Sequence, residues 1–249
     1  MMKKSVTVSL LLAMFLLLSS SVYATSDSRV KQADTLKQLG LFTGTGQGYQ
    51  LEAAFTRAQG TAMLLRLAGE EADASKAKLK PAFKDVKSSY WAASSIAFAV
   101  KKGYVKGVSS TAFAPERMMT GKEFLTLVNR LLGYPDAVPA NAAELSQMNG
   151  LLQADAVARL TAARPFLRGD MVEIAYAALL AKPAGSKSTL LQKLVEEKGT
   201  ITVAAADASG LYTPSAKSKD TADVYIPEPG TDPMDAIEEA IRQKLDGNE

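Results

Sequence analysis

The chain repeats itself, and that repetition constrains its folding more than any other feature. Laid against itself, the sequence shows a period of roughly 47 to 63 residues, the kind of self-similarity that marks a repeat architecture. The anchors are a glycine that closes one helix and the residue that opens the next: Gly40 to Phe55, Gly103 to Met119, Gly150 to Phe166. These gaps are nearly equal, so each unit is predicted as helix, turn, loop and helix. A glycine after a helix accepts the left-handed closing conformation that a side chain would penalise.

The residues at the second helix of each unit say why it starts where it does. Thr56 with Gln59, and Thr120 with Glu123, have the spacing of capping boxes, in which the hydroxyl takes one free amide and the longer side chain reaches back. Asp170 is assigned the capping role at the third start. Met119 with Phe124, and Phe166 with Met171, are placed as hydrophobic staples. Phe124, Leu127, Val128 and Leu131 then share one helical face, as do Ile96, Ala99 and Val100, and Val172, Ala175, Tyr176 and Leu179. Such stripes read as core and not as a cofactor box.

Composition narrows the chemistry. The 249 residues contain no histidine and no cysteine. Ser-His-Asp and Cys-His catalysis are therefore excluded, as are zinc sites of the usual nitrogen and sulfur kind. No disulfide can form, so stability must come from a packed core. Acids are plentiful, but nothing in their spacing selects a catalytic pair. The expectation is a protein that is not an enzyme, with no cofactor, no metal site and no catalytic residue.

The N-terminus reads as an export signal: Lys3 and Lys4, an apolar stretch over residues 6–18, then small residues up to Ala24. The alternative is an uncleaved anchor, for which the apolar segment is short, since a span needs about 20 residues. Cleavage after Ala24 removes two lysines and lowers the formal charge from +3 to +1. The totals thus give no argument for nucleic acid, and after cleavage no segment is long and apolar enough to cross a membrane.

The middle unit carries a set of spaced elements: Phe83-Lys84-Asp85-Val86, Trp91-Ala92, Gly103-Tyr104-Val105-Lys106-Gly107, Phe113-Ala114-Pro115, and the Thr120 to Glu123 helix start. Together these resemble the S-layer homology repeat, closely over residues 82–133 and mainly in the second halves of the outer units, covering roughly 30–182. The resemblance implies an all-α fold of three helix-loop-helix repeats in a pseudo-threefold bundle. It also implies a secreted protein on the extracellular face, at the cell wall or S-layer. Its function would be non-covalent attachment to peptidoglycan through an anionic, pyruvylated secondary cell-wall polysaccharide bound between repeats. The predicted organisation is a signal peptide over 1–24, repeats over 28–80, 81–135 and 136–185, accessory helices over 186–212, a linker over 213–233 and an amphipathic helix over 234–247.

In that family a Thr-Arg-Ala-Glu signature puts an arginine at the first helical position, where it meets the acidic ketal. Arg57 and Arg168 occupy that position here. A cation at a helix N-terminus is mildly unfavourable, by about 0.3–1 kcal/mol, yet a guanidinium binds carboxylate in a bidentate way. Binding and a salt bridge to a neighbouring repeat both fit. The middle unit departs, with Gly121 there and Lys122 beside it; lysine supplies charge without the planar fork. Asp85 and Trp91 complete the candidate polymer contacts. Asp85 also fits a cap, and Trp91 also fits the core, which its size favours.

Beyond the repeats, residues 188–198 and 202–208 are predicted as short helices. Residues 213–233 are rich in Pro, Ser, Thr, Lys and Asp, as linkers are. In the last helix Ile237, Ala240, Ile241 and Leu245 form an apolar stripe. It would dock on its own bundle, a second copy or an envelope protein. The last option underlies the alternative function, a degenerate repeat scaffold that binds a protein partner.

Overall fold

The computed structural model describes residues 27–215; the proposed signal peptide, nearly all of the linker and the proposed C-terminal helix lie outside the described residues. Ten helices follow one another: α1 (residues 27–38), α2 (Arg57–Leu67), α3 (Glu71–Ala77), α4 (Ala93–Lys101), α5 (Gly121–Leu131), α6 (Ala142–Met148), α7 (Ala154–Leu160), α8 (Arg168–Leu180), α9 (Leu190–Gln192) and α10 (Val203–Ala208). α9 winds on into a π-turn over Lys193–Glu197. Among the described residues no strand is present, only three isolated β-bridges. The chain is all-α.

The helix starts obey the local chemistry expected of them. Thr56 and Gln59 close a full capping box on α2, and Thr120 and Glu123 do so on α5. At α8 the capping residue is Leu167, whose side chain has no acceptor, so only the return bond exists, from Leu167 N–H to Asp170 at 2.9 Å. Gly40, Gly103 and Gly150 all take positive φ directly after their helices, as the repeat anchors require.

Helices α2, α5 and α8 pack against one another pairwise. Their N-terminal ends meet around three aromatic rings: Phe55, Phe124 and Phe166 lie with centroids 5.4 to 6.0 Å apart. The loops before the helices are knitted by bridges between Thr56 and Met118 and between Ala54 and Leu167. Gly60 belongs to this junction for a steric reason: a Cβ there would come within 2.5 Å of the Met119 sulfur. Burying each ring stabilises the fold by roughly 1.5–3 kcal/mol, so this junction is where the fold is most tightly specified.

The sequence gives no sign of two of these helices, α3 and α7. Each is seven residues long and neither N-cap side chain accepts a capping bond from its helix. α3 buries only Ala74, and α7 buries Val157 and Leu160, too few positions to set a helical period. Trp91 departs from expectation. Its size argues for the core, yet it is 62% exposed. Ala92 and Ala93 beside it are buried instead, so the start of α4 packs through its small side chains and the indole stays outside, against Tyr90.

Candidate ligand clefts at the helix starts

The first two amides at the starts of α2 and α8, groups that suit an anion, are already taken. Arg57 N–H donates to Arg117 O at 2.9 Å and Ala58 N–H to Pro115 O at 3.0 Å. Arg168 N–H and Gly169 N–H donate to Ala53 O and Leu51 O, both at 2.8 Å. An anion at either helix start would therefore be held by side chains.

The two arginines differ in what they hold. Arg57 is 7% exposed and lies 4.6 Å over the Phe113 ring. Its Nε donates to Phe113 O at 2.9 Å, Nη2 to Lys106 O at 2.9 Å and Nη1 to Glu123 at 3.3 Å. Burial lowers its pKa, and the Glu123 carboxylate opposes that. Glu123 also accepts from Arg117 and from Thr120 N–H. Burial pushes the Glu123 carboxyl up, but the bonds from Arg117 and Thr120 outweigh it and hold the group below the usual range. The cleft around Arg57, about 270 Å³, is lined also by Lys106, Phe113, Glu123 and Arg130. Its central cation is already paired.

Arg168 has no such carboxylate. Its Nε donates to Tyr49 O at 3.0 Å and the guanidinium lies 5.0 Å over the Phe42 ring. No ion pair neutralises it among the described residues. Burial lowers its pKa, and the neighbouring Arg66 lowers it further. The two guanidiniums line one cleft of about 190 Å³ with Gln59, Phe42 and Trp91, and no acidic residue lines it. Arg66 gives its Nε to Glu71 at 2.8 Å outside the cleft lining.

These differences follow one rule. The cation at the first position of one helix faces the third position of another. Arg57 on α2 faces Glu123 on α5, whereas Arg168 on α8 shares its cleft with Gln59 on α2, a neutral amide. At α5 the first position is Gly121, where any Cβ would sit 1.8 Å from the Leu160 carbonyl oxygen. No side chain fits there, so the loss of the arginine is built into the packing of α7. The third-position acid of α8, Asp170, instead takes Arg29 of α1 at 2.7 Å and both Nη atoms of Arg164.

The remaining candidates separate. Lys122 is exposed, lines neither cleft and makes no ion pair among the described residues. Asp85 spends both oxygens on the amides of Phe113 and Ala114, at 2.7 to 3.1 Å. It caps the turn that carries Phe113 and so sets the ring beneath Arg57. Burial pushes its pKa up, but those amide bonds prevail and lower it. Arg66 and Gln59 were not anticipated as cleft residues. A signal existed for Arg66, which lies nine residues after Arg57 on the same helix, but two and a half turns put it beside another cleft.

The family model of the S-layer homology domain matches residues 82–125. The chain carries an S-layer homology domain. The matched segment holds Asp85, Trp91, Thr120 and Glu123, while Arg57 and Arg168 lie outside it. Among curated proteins, the chain is similar to a "Middle cell wall protein" of Brevibacillus brevis (strain 47 / JCM 6285 / NBRC 100599), 34% identical over 109 residues, which is 43% of this chain and 10% of that protein. It is similar also to a "Surface layer protein" of Brevibacillus choshinensis, 32% identical over 109 residues, again 43% of this chain and 10% of the relative. The matched part of the chain thus spans about a tenth of the length of each relative.

Proposed function

We propose that this chain is a structural protein of the bacterial envelope, exported and fastened non-covalently to the cell wall, with three S-layer homology repeats set around a pseudo-threefold axis. We place its grip on an anionic secondary polysaccharide in the cleft of Arg168, Arg66 and Trp91. The observation that carries this is the charge of Arg168, which no carboxylate neutralises among the described residues, in a cleft that it shares with Arg66 and that no acid lines. A carboxylate entering it would gain planar bidentate donors in surroundings drier than water, where the attraction is stronger. Trp91, exposed at the rim, offers the apolar face that a sugar ring covers. A pyruvate ketal on a sugar combines both features, a carboxylate held rigidly on a ring.

Trp91 is the sole tryptophan, so its fluorescence reports on this cleft alone. Titration with a pyruvylated wall disaccharide should quench or shift the emission in a saturable way, and the same sugar without the ketal should not. Equal responses to both sugars, or none to either, contradict the assignment. Purified chain should also sediment with walls that keep the polymer and remain in solution with stripped walls.

A further inference from the structure

The charge of this protein is unevenly placed. Between residues 76 and 106 stand eight lysines (76, 78, 80, 84, 87, 101, 102 and 106) and one acid, Asp85. That segment therefore carries seven net positive charges, and the rest of the chain, +3 overall, is net negative by four. No arginine occurs in the segment, although the cations at the starts of α2 and α8 are both arginines.

All eight lysines are exposed. α3 packs on α4, and Lys80 and Lys101 line one shallow depression together with Phe83 and Leu79. The nearby acids are largely committed. Glu70 is held by Lys102 and Lys198, Glu71 by Arg66, and Asp85 by two backbone amides. Asp73, three residues before Lys76 on α3, is an acid beside the lysines that makes no ion pair among the described residues. Apart from Lys102, none of the eight makes an ion pair among the described residues, whereas Arg29, Arg57, Arg66, Arg117, Arg159 and Arg164 all do. Lys78 even occupies the left-handed position after α3, with φ of 45°, where glycine would be less strained.

We infer that the exposed lysines of α3, of α4 and of the segment between them form a second attachment surface, which takes a linear polymer carrying phosphate charges along its backbone, separate from the cleft of Arg168. Lysine is a compact, hydrated point charge that suits phosphate without a fixed geometry, while arginine suits the planar carboxylate. A polymer neutralised by such a face releases its counterions, so binding strengthens steeply as salt falls. The inference rests on the proposed role in wall attachment, in which the lysine face gathers the chain onto the wall and the cleft fixes it.

The test uses the full secreted chain and labelled long-chain polyphosphate as probe. Wild type should bind with an affinity that falls as salt rises. The variant K80Q/K84Q/K87Q/K101Q should lose at least about tenfold at low salt, with a slope of log affinity on log salt shallower by about 3, four charges at about 0.7 each. Its thermal melt should match wild type. Arg168→Gln should bind polyphosphate as wild type does, while the lysine variant should still pellet with walls at high salt. This separates failure of the lysine face from failure of the cleft. Unchanged polyphosphate binding by the lysine variant overturns the inference. So does tighter binding of wild type to phosphatidylglycerol vesicles than to polyphosphate, which would assign the face to a lipid surface.

Discussion

Asp170→Asn tests the packing logic most sharply. The Asp170 side chain is fully buried and accepts four hydrogen bonds: from Arg29 at 2.7 Å, from Arg164 at 2.7 and 2.9 Å, and from Leu167 N–H at 2.9 Å. Burial raises its pKa, but Arg164, the Leu167 amide and Arg29 more than reverse that, so the carboxyl sits below its usual range. The asparagine keeps the shape, removes the charge and turns one acceptor into a donor that faces a guanidinium. Loss of one partner from a buried pair costs about 3–5 kcal/mol. The low end applies here, because the Arg164 side chain keeps 34% exposure and can turn to water. At roughly 2–4 °C per kcal/mol for a chain of this size, Tm should fall by about 6–12 °C in a reversible melt. Asp155→Asn, an exposed acid of α7 without an ion pair among the described residues, should move Tm by less than about 2 °C, as surface changes do. If the two variants melt together, the ion pairs beneath α8 do not hold the helix start.

The acid side of the stability profile follows from the same group. Asp170 and Glu123 both have depressed folded-state pKa values, so their stabilisation is complete above the unfolded-state values near 4 and is lost as pH falls through the folded ones. With no histidine in the chain, Tm should be nearly flat from about pH 8 to 5 and drop below about pH 4; a marked drop already between about pH 7 and 5 contradicts this. Gly121→Ala brings a Cβ to 1.8 Å from the Leu160 carbonyl oxygen, so α7 must move. Overpacking of this kind costs about 1–3 kcal/mol, and urea unfolding should report that loss, whereas an unchanged midpoint would mean the contact is not tight.

The helices with strong signals were legible in the sequence. Thr56, Thr120 and the glycines after α1, α4 and α6 carry local chemistry that depends only on neighbours a few residues away. α3 and α7 lack side-chain caps and a full apolar period, and their place is set by packing. The candidate site was half legible. The first helical position of α2 and α8 named Arg57 and Arg168 equally, because their local contexts match. What divides them is the opposite helix, Glu123 for one and Gln59 for the other, each more than sixty residues away along the chain. Trp91 runs against expectation for a similar reason: its size argues for burial, but the alanines next to it fill the interface first.

Comparing Arg57 and Arg168 in wall sedimentation tests the central assignment directly. Arg168→Gln, which gives up one donor to Tyr49 O, should melt only slightly below wild type and lose retention on polymer-bearing walls. Arg57→Gln should lower Tm, since three donors to buried and half-buried partners go with it, and should retain binding at temperatures where it is folded. If Arg168→Gln pellets as wild type does while Arg57→Gln, still folded, stays in solution, the grip lies in the Arg57 cleft and the assignment to Arg168 is wrong.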